Sequence, residues 1–240
     1  MFLGKIRFHR MLRKVPQIRA YLPHTAFCNE RRLAEFLNRY PAVFIKPDGG
    51  ERGIGVIKAW KEGSSISYIK VKGDPQTVGS VRELIQKLKL QRPHIVQQAI
   101  DLAKIDGRPF DIRLMMMRNR SKRWTYIGMV AKVAGSKSVV TNVARSNGYV
   151  SPIDRALRLS LGLTGTRAEQ KKREMIRLAE RCNRVYSKTR YGWQLGYDLA
   201  IDNTGKVWFI ELNPSPAHSL FRKEPSAFRT IKRLAAVRRI

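Results

Sequence analysis

The sequence predicts an α+β fold. Three observations carry this reading: short β-branched and aromatic runs separated by glycine loops, amphipathic stretches with apolar residues three and four apart, and two pairs of apolar runs joined by turn residues. The 240 residues fit one large domain or two small ones packed together. Hydrophobic residues make up 43% of the chain, enough to build a core, so a formal charge of +30 does not mark a disordered polycation.

The elements follow in order. Six basic and no acidic side chains in the first 20 residues form a mildly helical pattern, ended by the turn Leu22-Pro23-His24-Thr25. Asn29 is an N-cap for a helix carrying Leu33, Phe36 and Leu37 on one face, which Pro41 stops. Ala42–Lys46 reads as a strand, Pro47 to Gly55 as a glycine loop, and Val56–Trp60 as the returning strand. An apolar run at Ser67–Val71, a helix near Val81–Leu90 and a strand at His94–Ala99 complete a small lobe. Asp111–Met117 and Arg123–Val133 read as a hairpin. Met175, Leu178, Cys182 and Val185 form the stripe of a packed helix whose opposite face is basic. Leu195–Ile201 and Lys206–Leu212 are joined by Asp202-Asn203-Thr204-Gly205, a second hairpin.

Several function classes drop out. No stretch approaches the ~18 apolar residues of a membrane span, and the first residues lack a signal-peptide core. Two isolated cysteines, Cys28 and Cys182, make neither a disulfide framework nor a thiolate metal site, so a cytoplasmic setting is expected. His24, His94 and His218 stand alone and receive no role, and the Met115–Met117 run reads as strand core. The basic excess suits a polyanion: nucleic acid, an anionic polymer or an acidic acceptor, as against a merely solvated basic surface.

Two constellations carry chemistry. In the last hairpin the turn folds Asp198 back toward Glu211, and Glu211 and Asn213 share a face two residues apart. These oxygen donors suit Mg²⁺ or Mn²⁺ held jointly with phosphate; the alternative is a hairpin whose acids offset local positive charge. Lys46 followed by Gly49, Gly50, Gly53 and Gly55 has the make-up of a polyphosphate cradle, backbone N–H groups plus a point charge. A plain glycine hairpin loop is the alternative, and the loop is not a P-loop, because it lacks Gly-Lys-Ser/Thr and leads into a strand.

The order Lys46-Pro47 with Gly49–Gly55, Ile95–Ile100, Asp111-Ile112-Arg113, Thr141-Asn142, Asp198 and Glu211-Leu212-Asn213-Pro214-Ser215-Pro216 resembles the ATP-grasp superfamily. Its closing segment is similar to that of ligases that add glutamate to a ribosomal protein. Leu22-Pro23-x-Thr25, Ile45-Lys46-Pro47, Gly107–Arg113 and the Trp124, Gly128, Ala134-Gly135 hairpin resemble the YheC/YheD group associated with endospores.

The resemblance, which runs from about Lys5 to Phe221, implies an ATP-grasp fold of two α+β lobes with a nucleotide cleft between them. The small lobe would span about 22–100 and the metal-binding lobe about 101–221, with 222–240 a basic tail. ATP would be held by Lys46, by an earlier Lys5, and by the loop residues Gly50, Arg52 and Gly53. Gln97, Gln98 and Ile100 would meet the adenine. Asp198, Glu211 and Asn213 would bind Mg²⁺ or Mn²⁺, and Arg113 would stabilise the transferred phosphoryl group.

Lys132 and Asn142 fall where the glutamate ligases carry an arginine and an asparagine near the acceptor. Lysine keeps the charge and loses the bidentate fork. Ser146-Asn147-Gly148 also departs from paired glycines, and the α/β domain that usually precedes the matched region is expected to be missing. The implied reaction is ligation of a carboxylate to an amine through an acylphosphate. The alternatives are a non-catalytic polyanion-binding or spore-coat structural protein that keeps the fold, and a kinase that stops at phosphoryl transfer.

Overall fold

A computed structural model of the chain describes residues 4–49, 54–70, 73–90, 92–135, 147–187 and 192–236. The described residues build two antiparallel sheets with helices on them. Helices α1 (Lys5–Arg13) and α2 (Pro16–Arg19) come first, split at Pro16, which supplies the first residue of α2. The first sheet contains β1 (Thr25–Phe27), β2 (Val43–Pro47), β3 (Ile57–Glu62), β4 (Ser65–Lys70), β5 (Gln76–Val78) and β6 (His94–Gln98), in the order β1-β6-β2-β3-β4-β5. Helices α3 (Glu30–Arg39) and α4 (Val81–Leu88) cover one of its faces, burying Leu33, Phe36, Leu37 and Leu84 against Val43, Ile45, Ala59 and Val96. The N-cap is as the sequence predicts: Asn29 Oδ1 accepts from Arg32 N at 2.8 Å.

The second sheet runs β10 (Tyr149–Pro152), β9 (Trp124–Val133), β8 (Arg108–Arg118), β11 (Gln194–Ile201), β12 (Val207–Asn213), with the short β7 (Lys104–Ile105) paired to β8. One face packs on α5 (Ile153–Leu161) and α6 (Gly165–Ser187). Phe110, Ile112, Leu114 and Met116 of β8 meet Met175, Leu178 and Cys182 there, the stripe read from the sequence. Met115 and Met117, one residue out of phase, face the opposite side under Phe221, Ala227 and Ile231.

Several elements go beyond the sequence reading, among them the short strands β5, β7 and β10. Thr25, taken as turn, begins β1. Helix α5 is ended by Gly162 in a left-handed conformation. The segment expected as a basic tail holds helix α7 (Pro225–Ala236), which seats Ala227 and Ile231 on the sheet.

Candidate functional site

Strand alternation decides what looks out between the sheets. On β2, Val43 and Ile45 enter the small-sheet core, so Phe44 and Lys46 point the other way. On β8, Phe110, Ile112 and Leu114 enter the large core, leaving Asp111 and Arg113 on the opposite face. In register beside them lie Lys132, opposite Asp111, and Asp198, opposite Arg113.

Strand β12 needs one further device. Ile201 pairs with Val207 and Leu199 with Phe209, a register that would continue to Asp198 opposite Ile210; instead Asp198 pairs with Glu211. Ile210 is the extra residue of a β-bulge, and it reverses the phase of the strand. Val207 and Phe209 point into the core, whereas Glu211 and Asn213, also odd-numbered, share the outward face with Asp198. Asn213 lies opposite Gly196 and accepts from Ser215 N through Oδ1 at 2.9 Å.

The large-sheet charges form one network. Arg113 clamps Asp198 with two bonds, Nε to Oδ1 at 2.8 Å and Nη2 to Oδ2 at 3.0 Å. Lys132 Nζ lies 3.0 Å from Asp198 Oδ1 and 3.1 Å from Asp111 Oδ1. Burial pushes the Asp198 carboxyl upward, but Arg113 and Lys132 outweigh it and hold the group well below the usual carboxylate range. Burial likewise opposes the Arg113 charge, and Asp198 overcomes it, raising its pKa. Gly196 makes room: a Cβ there would lie 2.7 Å from Pro216 Cβ and 3.1 Å from Arg113 Cδ.

The small sheet presents a different arrangement. Lys46 Nζ donates to Gln97 Oε1 at 2.7 Å, Gln97 Nε2 donates to Thr25 Oγ1 at 3.0 Å, and the Thr25 hydroxyl donates to Pro23 O at 2.9 Å. The ammonium has a neutral partner, and burial lowers its pKa to about 8; Glu211, Asp111 and Asp198 pull it back upward, while Lys5 adds to the lowering. The carboxylates of the other sheet thus act on Lys46 through their charge.

Helix α1 joins the two. Asp48, two residues after Lys46, caps it from outside: Ile6 N donates to Asp48 Oδ1 at 2.8 Å and Lys5 N to Asp48 O at 3.0 Å. The cap sets Lys5 Nζ 3.0 Å from Glu211 Oε1. Lys5, Lys46, Arg113 and Lys132 thus surround Asp111, Asp198 and Glu211, a cluster with one excess positive charge before any ligand enters.

Of the residues predicted for the site, Lys5, Lys46, Gln97, Arg113, Lys132, Asp198, Glu211 and Asn213 are brought together. The Gln97 side chain holds Lys46 and Thr25, and Gln98 Oε1 accepts from His24 N at 3.3 Å, so both amides are turned to the protein. Ile100 is half-buried just past β6. Gly50, Arg52, Gly53 and Asn142 lie outside the described residues. Sequence reasoning gave no role to Asp111, Asp48 or Thr25. The Asp-x-Arg spacing of Asp111 and Arg113 on one strand carried the signal for the first; the other two act through contacts 42 or more residues away.

Among the described residues no three His, Cys, Asp or Glu side chains are placed to hold a metal ion. The hard-oxygen set Asp198, Glu211 and Asn213 nevertheless has the chemistry for Mg²⁺ or Mn²⁺. The Glu211 side chain is 37% exposed and paired to a lysine, so it is open to an ion, whereas Asp198, at 14%, is engaged by two cations.

Comparison with known proteins agrees with this architecture. A family model described as YheC/D like ATP-grasp matches residues 1–236. The Bacillus subtilis (strain 168) endospore coat-associated protein YheD is 28% identical over 240 residues, covering 92% of this chain and 49% of that protein. The endospore coat-associated protein YheC of the same organism is 22% identical over 225 residues, covering 87% and 58%. The chain therefore spans about half the length of the curated relatives it matches.

Proposed function

The chain belongs to the YheC/D-like ATP-grasp family, and on that premise we propose that it is an ATP- and Mg²⁺-dependent carboxylate–amine ligase working on an anionic acceptor. Membership supports an ATP-dependent, ligase-like activity in general; the acylphosphate route and the acceptor are the proposal. The observation that carries it is the link between the sheets made by helix α1: capped by Asp48, two residues past Lys46, it sets Lys5 3.0 Å from Glu211, and Lys46 feels the charge of the same carboxylate. A desolvated ammonium held by neutral partners, the Gln97 amide and the Phe44 ring 5.1 Å away, is suited to an incoming phosphate.

In this reading Lys46 and Lys5 bind the phosphates, with Gly50, Arg52 and Gly53 over them, and the backbone from Gln98 to Ile100 meets the base. Gln97 orients Lys46. Glu211 and Asn213, with Asp198, supply the oxygens for Mg²⁺ or Mn²⁺, which would neutralise charge on the bridged phosphates. Arg113, whose charge Asp198 sustains, and Lys132, beside Asp198 and Asp111, would stabilise charge that spreads over a transferred phosphoryl group. Asn142 would face the acceptor.

Mg·ATP at about a hundredfold excess over its Kd should add about 2.7 kcal/mol to the unfolding free energy. The Asp198→Asn, Glu211→Gln double variant should lose that gain, and phosphate should be released when candidate acids and amines are supplied together. A Mg·ATP-insensitive unfolding curve sinks the proposal. It would favour the second reading, a non-catalytic polyanion-binding coat protein, which draws on the relatives' description as endospore coat-associated and on the +30 charge. A phosphorylated product without condensation would make it a kinase. Spore association, after synthesis in the cytoplasm, is part of the same proposal; among the described residues no helix is long and apolar enough to cross a membrane.

A further inference from the structure

A second site lies away from the charge network, at the free edge of the small sheet. Among the described residues β1 is the terminal strand and pairs with β6 alone. Cys28 N donates to His94 O and Gln98 N to His24 O, so residues 24 and 28 turn their backbone groups inward. By antiparallel alternation Thr25 and Phe27 direct theirs to the open side. A pocket of about 390 Å³ sits on that edge. Arg10 and Arg13 of α1 line it from one face of the sheet, and Arg31 and Arg32 of α3 from the other, while no carboxylate lines it.

His9 and His24, both in the pocket wall, are held below the ordinary imidazole value, first by burial and then by charge. For His9 the charges are Arg13 and His24, with a bond to Pro23 opposing; for His24 they are Arg39, Arg13 and Arg32, with Glu35 opposing. Glu35 pairs with Arg32 at 3.0 Å and with Arg31 at 3.8 Å, and Arg10 rests 5.2 Å over the 42%-exposed Phe27 ring.

We propose that this edge receives an acidic polypeptide segment as an added strand, its alternate carboxylates reaching the arginines of α1 on one face and those of α3 on the other. A strand sends successive side chains to opposite faces, and here both faces carry guanidinium groups. Spaced single charges on two helices match carboxylates strung along an extended chain better than one compact anion, and guanidinium groups pair with carboxylates through two parallel bonds. The inference stands apart from the ligase reading, since none of the pocket's arginines belongs to the charge network between the sheets.

The test is fluorescence anisotropy of a labelled octaglutamate peptide with the full chain. Binding should weaken with salt and fall by about tenfold or more in Arg13→Glu, Arg31→Glu, the loss of about 1.4 kcal/mol. It should fall similarly when alternate peptide nitrogens are methylated, which blocks strand pairing and keeps the charge. Phe27→Pro removes an outward N–H without touching the β6 ladder, so it should also weaken binding, which guards against a folding defect in the charge-reversed protein. Equal binding by these variants, or by the methylated peptide, overturns the proposal. An oligonucleotide of equal charge that binds more tightly and loses as much in the same variants would overturn it in favour of nucleic acid.

Discussion

The two sheets hold charge toward each other in opposite ways. On the large sheet every buried charge has a counter-charge in direct contact: Arg113 with Asp198, Lys132 with Asp198 and Asp111. On the small sheet Lys46 has an amide and a hydroxyl behind it, and its counter-charges stand across the gap. A closed network sustains its own ionisation, as the depressed Asp198 and the raised Arg113 record. A cation with neutral support is left partly uncompensated, and an anionic ligand gains most by meeting it. In the proposed reading the large sheet is therefore the preformed half and the small sheet the half that a bound ligand would complete.

The largest effect should come from opening the closed network. Arg113→Met leaves Asp198 buried with Lys132 alone and should cost about 3–5 kcal/mol, read from chemical unfolding. Gln97→Leu, which removes the one direct acceptor of Lys46, should cost less, about 1.5–3 kcal/mol, and lower the Lys46 pKa further. If Gln97→Leu proves the more damaging, the contrast between the sheets is wrong. Gly196→Ala tests how tightly the network is packed. Its new Cβ meets Pro216 and Arg113, for about 1–3 kcal/mol and a weakened Arg113–Asp198 clamp. Asp48→Ala should cost about 1 kcal/mol, the usual worth of a helix cap, while displacing Lys5 from Glu211.

The pH profile sharpens the comparison, because the two sheets act in separate windows: stability rises with pH in both, at Asp198 because a favoured charge forms and at Lys46 because a disfavoured one is lost. Lys46 titrates near 8 in the folded chain and at 10.5 ordinarily, so between these values the unfolded chain binds more protons and stability should rise with pH. Lys46→Met should remove that rise. Asp198 is shifted down, so its contribution is present above the ordinary 3.8 and is lost as the pH falls below it. Mg·ATP affinity should decline as the pH rises through about 8 and Lys46 loses its charge.

Much of this was legible in the residues. The Asn29 cap, the Met175–Cys182 stripe, the strand at Lys46 and the hairpin at Asp202–Gly205 rest on local rules of capping, periodicity and turn chemistry, and the fold keeps them. Helix α7 was hidden by its own charge, although Pro225 at its first position and Ala227 and Ile231 four apart carried the pattern. Gln97 could not be read, because whether an amide faces a ligand or a neighbouring lysine depends on Thr25, 72 residues away.

By itself the sequence determined which residues carry charge and which strands display them, since alternation and turn geometry act over a few residues. Only the tertiary structure decided which charges meet. The Ile210 bulge turns Glu211 and Asn213 to the side of Asp198, and the Asp48 cap brings Lys5 to Glu211. The physical reason is that register and capping in trans are fixed by hydrogen bonds between segments distant in the chain, whose energies no local pattern records.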